Sequence, residues 1–166
     1  LYKMLFIAIV VKFFFFVSIN TFLFKFSDSF AYVDDKSYYE VSKKIIEEWE
    51  VGRFITPKEI KYQAEKNPGY YYVSVFVMSI FGDSHYTSRL FNLFLSIIIG
   101  FYIYLIALRI YSRKEALLSS YIFLLLPDLC FWSSLQFKDM TTLLLTIMIF
   151  YYLFYSKKKR GIFIAL

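Results

Sequence analysis

Two adjacent carboxylates, Asp34 and Asp35, stand in "YVDDKSYYE" (residues 32–40), between a nearly unbroken apolar run and a charged helical pattern. A carboxylate at the edge of an apolar segment can cap a helix or simply face water. Beside low-dielectric walls it also suits a general base that takes the proton of a hydroxyl or amine. A third acid, Asp139, follows Lys138 in "SSLQFKDMTT" (133–142), again between two apolar segments. Cations that can meet an anionic substrate are Lys66 in "AEKNPGYYY" (64–72), Arg89 in "SRLFN" (88–92) and Lys138 itself. Each has an ordinary reading beside the chemical one. A lysine before a juxtamembrane helix snorkels to headgroup depth, an arginine at the end of a span does the same, and every loop needs polar residues. Lys12, inside the first apolar run, is costly there unless it snorkels or pairs, and snorkelling is expected. His85, on a polar turn, is expected to face solvent, and Cys130 to act as a small apolar filler.

The elements that must position these groups are membrane elements. The 166 residues are 59% hydrophobic and 23% aromatic, against about 45–50% apolar for a soluble domain. Four stretches approach the roughly 20 apolar residues that cross a bilayer: about 4–24, 89–109, 115–134 and a shorter one at 140–155. A fifth, "GYYYVSVFVMSIFG" (69–82), is better suited to an interfacial or re-entrant helix. One cysteine excludes an internal disulfide or a cysteine zinc site, and one histidine excludes a histidine metal cluster within this chain.

Charge placement sets the expected topology. Basic residues gather on the cytoplasmic side of a membrane. If 69–82 does not span and the N-terminus is cytoplasmic, both "RIYSRK" (109–114) and "KKKR" (157–160) fall inside. Residues 25–88 and the loop near 132–139 then lie outside together. The net charge of +6 is therefore a topology signal, and no nucleic-acid partner is expected. Within the outer loop, Ser37 followed by Glu40 forms a capping box. It predicts an amphipathic interfacial helix over about 38–50, with Tyr38, Val41, Ile45 and Trp49 on one face. The chain reads as a single all-α transmembrane domain, residues 1–166. It begins with Leu and ends on "GIFIAL", the look of a fragment of a longer multi-pass protein.

In this order the parts resemble glycosyltransferase family 39 and related GT-C membrane enzymes, the group of the dolichyl-phosphate-mannose-protein mannosyltransferases. The resemblance rests on the succession of an apolar span, "DDKSYYEVS", "EKNPGYY", "SRLFN", a long span, "YSRKEA", a span with a proline and a late acid. It implies a GT-C-like set of N-terminal transmembrane helices, with juxtamembrane helices in the first external loop. It further implies transfer of a sugar from a polyprenyl-phosphate donor to an acceptor on the external face of the cell membrane. Asp34, first of the acid pair, takes the position of the catalytic acid, with Asp35 beside it and Tyr38 as the later aromatic. Lys66 corresponds to the lysine that contacts the donor phosphate, and Asp139 to the acid of the second external loop. Two departures stand out: Asp35 replaces the commoner Glu, and Lys138 directly before the acid is not general to the group.

A phosphate-linked sugar is already activated, so the expected chemistry is direct displacement with inversion. Asp34 would serve as base, and Lys66, Arg89 or Lys138 would balance the departing phosphate. No glycine-rich phosphate cradle is present. Two neighbouring acids can hold a divalent metal, but the resemblance implies no metal requirement and no cofactor. The alternatives are a flippase or transporter for lipid-linked sugars, in which Lys12 would mark a translocation path, or a polymerase of surface-polysaccharide assembly.

Overall fold

The computed structural model describes residues 2–23, 33–60 and 68–157; its regular elements are all helices, with no strand among the described residues. In chain order the elements are α1 (Tyr2–Ser18) continued by a π-helical turn (Ile19–Leu23), α2 (Val33–Glu50), α3 (Pro57–Ile60) and α4 (Pro68–Phe81). They are followed by α5 (His85–Ile110), α6 (Arg113–Leu125), α7 (Pro127–Ser133) and α8 (Asp139–Lys157). All three prolines open helices, α3, α4 and α7. A ring that fixes φ near the helical value and lacks an N–H costs nothing at a first position, where that N–H has no partner anyway.

Local chemistry explains the other boundaries. Gly82 takes a φ of 103° after α4, a left-handed conformation that a side chain would disfavour. Two residues later Ser84 caps α5 by accepting from Tyr86 N–H at 3.3 Å. At α6, Ser112 N–H donates to the Glu115 carboxylate at 2.7 Å. The start of α2 differs from the expected capping box. The helix begins at Val33, so Asp34 and Asp35 lie in its first turn rather than before it. Two carboxylates there complement the positive end of the helix dipole. Ser37, freed from capping, lies 3.4 Å from the Tyr71 hydroxyl of α4.

Two helices are long and apolar enough to cross a membrane among the described residues, Leu5–Phe22 and His85–Ile110, or three if α6 and α7 form one span bent by 58°. This is an all-α membrane protein. The long helix α5 runs against α1, α4, α6, α7 and α8. Side chains of α6 press onto the α5 backbone here: a Cβ at Gly100 would lie 2.5 Å from the Leu124 side chain, and the Ser120 hydroxyl donates to Gly100 C=O at 2.7 Å. Close approach through small residues is how helices associate in lipid, where burial of apolar surface gives no driving force.

A second layer caps one end of the bundle. Tyr38, Val41 and Ile45 of α2 pack against Tyr70, Tyr71 and Val75 of α4 and against Leu135 and Phe137. Tyr38 meets Tyr70 edge to face at 4.7 Å between centroids and Tyr71 at 4.9 Å, contacts worth about 0.5–1.5 kcal/mol each beyond area burial.

Two expectations need correction. Lys12 does not snorkel: it is fully buried and donates to the Ser133 hydroxyl at 3.2 Å. It lies ten residues from the start of α1, roughly 15 Å along a helix axis, beyond the reach of a lysine stem. His85 is not freely exposed either, since its ring packs edge to face on Tyr39 at 6.0 Å and lies 3.9 Å from that of Tyr86.

Candidate functional site

The ends of the long helices and the α2–α4 layer meet around Asp35. Its side chain is completely buried, and Arg89 of α5, equally buried, grips it with two nitrogens: Nη2 to Oδ2 at 2.5 Å and Nε to Oδ1 at 3.5 Å. The remaining arm of Arg89 donates to the Asn20 side-chain oxygen, Oδ1, on the π-helical turn of α1. Asp35 Oδ1 also accepts the Gln136 backbone N–H at 3.0 Å. One carboxylate thus ties α2 to α5 and to the α7–α8 connection, and through Arg89 to α1. A buried ion pair survives only when such extra hydrogen bonds offset the desolvation of both charges.

A parallel clasp lies one turn along α5. The Asn92 amide donates to Leu135 C=O at 2.7 Å, Phe137 C=O at 2.9 Å and the Tyr70 hydroxyl at 3.1 Å. Gln136 reaches the other way and donates to Ser74 of α4 at 3.2 Å. Residues 135–137 have no regular structure of their own. Their backbone groups therefore take partners from α2 and α5, as buried peptide groups must.

This frame fixes what stands beside it. Asp34, next in the chain to the locked Asp35, is exposed in the first turn of α2. Asp139 is exposed in the first turn of α8, directly after the clasped segment. Both carboxylates act on Tyr38. Its phenol is pushed up to about 12, first by burial, then by Tyr71 and by the negative charges of Asp34 and Asp139.

Beside them, between α4 and α8, opens a cleft of about 380 Å³ lined by Gly69, Tyr70, Val73, Lys138, Thr141, Thr142 and Leu145. That volume lies in the range of small-molecule sites. Thr141 Oγ1 is buried in the structure without a hydrogen-bond partner among the described residues. Among the described residues no three His, Cys, Asp or Glu side chains gather as a metal-binding group.

Of the residues singled out from the sequence, Asp34, Asp35, Tyr38, Arg89, Lys138 and Asp139 all belong to this end of the molecule, although Asp35 and Arg89 are spent on each other. Lys66 lies outside the described residues. Sequence reasoning missed Asn20, Ser74, Asn92 and Gln136. A signal for Asn92 was present: Arg89, Asn92 and Ser96 recur at helical spacing inside an apolar span, and all three are buried. A polar stripe of that kind on a membrane helix points to an internal network.

The all-helical membrane bundle thus carries exposed carboxylates and a largely apolar cleft with one lysine at one end. Residues 65–165, more than half of the chain, match the dolichyl-phosphate-mannose-protein mannosyltransferase family, and the chain belongs to it. It is thereby a membrane glycosyltransferase of the GT-C type, a class whose sugar donor is linked to a polyprenyl phosphate. The matched stretch contains Arg89, Lys138 and Asp139 and begins after Asp34 and Asp35. No curated protein and no solved structure matches the chain.

Proposed function

We propose that the protein transfers a sugar from a polyprenyl-phosphate donor to an acceptor hydroxyl or amine, with Asp34 as the base and the reaction on the external face of the cell membrane. The observation that carries this reading is the division of labour in the acid pair. Asp35 is buried and fully engaged, while Asp34, one residue away, is exposed in the first turn of α2 and, like the exposed Asp139, acts on Tyr38. A base needs reach and a fixed position, and of the adjacent pair Asp34 is the one that has both.

The step is a single displacement. The acceptor oxygen or nitrogen attacks the anomeric carbon as its proton passes to Asp34. The bond from that carbon to the phosphate oxygen breaks, its electron pair leaving with the lipid phosphate, and the configuration inverts. The cleft between α4 and α8 takes the donor's phosphate and first isoprenes. Val73 and Leu145 give apolar walls, Thr141 offers an unused hydroxyl and Lys138 offsets the negative charge of the leaving group. Lys66, close in sequence to the first residue of α4, is the second cation for that phosphate. Asp139 orients the acceptor. Arg89 acts through Asp35 and does not touch the donor.

The external placement is supported by the basic residues at the other end of the bundle. Arg109, Arg113 and Lys114 all lie between the last turn of α5 and the first turn of α6, the cytoplasmic pattern.

Transfer by the full-length protein from a synthetic polyprenyl-phosphate sugar tests the reading. Asp34→Asn is expected to lower the rate about 10²–10⁴-fold, the usual range for a lost general base, with membrane insertion intact. An undiminished rate would remove Asp34 from the scheme.

A further inference from the structure

At the end of the bundle opposite the acids, the structure carries a second recess that the transferase reading does not use. It lies between α5 and α8, has a volume of about 360 Å³ and is lined by Leu105, Leu108, Arg109 and Tyr151. Arg109 is the cation of the last turn of α5, and its guanidinium carbon lies 5.5 Å from the centre of the Tyr155 ring. Tyr155 in turn stacks on Tyr151 at 6.1 Å, and Tyr151 meets Tyr102 edge to face at 5.2 Å. A guanidinium set against a tyrosine face is held in one orientation and keeps its N–H groups for an oxygen acceptor.

Charge around the recess is one-sided. Among the described residues, none of Arg109, Arg113 and Lys114 has a carboxylate within ion-pairing distance. Glu115, the acid that follows Lys114 in the chain, accepts the Ser112 N–H at 2.7 Å as a helix cap. Depth matters as much as charge. Arg109 sits at the very end of the helix long enough to span the bilayer, the level of lipid headgroups, while Leu105 lies one turn further into the membrane. The recess therefore offers a cation and the Tyr151 phenol above an apolar floor. That arrangement is complementary to an amphiphile with a phosphate head.

We infer that this recess binds the headgroup of an anionic membrane phospholipid, with Arg109 on the phosphate and Leu105 and Leu108 against the first methylenes of the acyl chains. The C-terminal dipole of α5 also favours Arg109 where it is, but that effect needs no ligand and makes no distinction among lipids.

The test uses the full-length protein in neutral detergent and reads its melting temperature with added phosphatidylglycerol, phosphatidylcholine or inorganic phosphate. Phosphatidylglycerol is expected to raise the melting temperature by several degrees, and the other two to leave it near the lipid-free value. Arg109→Gln is expected to erase that difference, and Tyr155→Leu, which removes the ring and keeps the charge, to reduce it. Arg113→Gln keeps most of it, because Arg113 does not line the recess. Equal stabilisation by the two lipids, or an undiminished phosphatidylglycerol effect in Arg109→Gln, overturns the proposal. So does an equal effect of inorganic phosphate, which would mark an anion site without a lipid. None of these outcomes depends on Asp34, which stands at the opposite end.

Discussion

Asp35 and Arg89, 54 residues apart in the chain, form a fully buried pair through two nitrogen–oxygen contacts. A charge in that position is stable only with its partner. Removing one half is therefore expected to cost about 3–5 kcal/mol, because the other is left uncompensated. Arg89→Gln should lower the denaturation midpoint of the detergent-solubilised protein sharply. The double variant Asp35→Asn/Arg89→Gln should recover a large part of the loss, since its two amides can still meet. Equal destabilisation by the single and double variants would show that the pair is not coupled.

Lys138 lines the cleft proposed for the donor phosphate. A charge-assisted hydrogen bond to phosphate contributes about 1.5–3 kcal/mol. Lys138→Gln is thus expected to weaken the donor about 10–100-fold in kcat/KM, with little effect on the affinity for the acceptor. Thr141→Val should act in the same direction and more weakly.

The convergence of Asp34 and Asp139 has its own readout in the Tyr38 phenol, which is pushed up to about 12 by burial, Tyr71 and these two charges. The folded state therefore holds the phenolic proton more tightly than the unfolded chain, whose tyrosines titrate near 10. That contribution to stability is intact below pH 10 and is lost as pH rises from about 10 through 12. Stability of the wild type should fall more steeply across that window than that of Tyr38→Phe. In a tyrosinate absorbance difference between the two, Asp34→Asn and Asp139→Asn should each bring the Tyr38 titration down. No movement with either would separate the carboxylates from Tyr38.

Gly100 lets α5 and α6 approach until a Cβ would lie 2.5 Å from Leu124. Gly100→Ala is expected to cost about 1–3 kcal/mol through overpacking. Leu124→Ala, placed in the same chain, should relieve part of it. Additive losses, measured by thermal unfolding, would count against direct contact.

How much of this was legible in the sequence depends on the reach of each signal. The apolar runs, the proline-led helices and the acids beside a membrane segment are local patterns, and they gave the helical class and a resemblance that the family match shares. The start of α2 misled because Ser37 and Glu40 satisfy a local rule, while the structure uses Ser37 against Tyr71 of another helix. The frame itself is long-range. The bond from Lys12 to Ser133 spans 121 residues, and that from Gln136 to Asp35 spans 101. Periodicity cannot pair residues so distant, and both acids of a neighbouring pair look alike until one of them is buried.

Asp34 as the group that accepts the acceptor's proton is the claim on which the rest depends, and its most direct measurement is a single-turnover one. The full-length Asp34→Asn protein, saturated with a radiolabelled polyprenyl-phosphate sugar, should bind the donor as tightly as the wild type. Its bond-breaking step should be slower by at least 10²-fold, the lower end for a missing general base. Transfer at the wild-type rate, or donor binding lost in step with the rate, would contradict it.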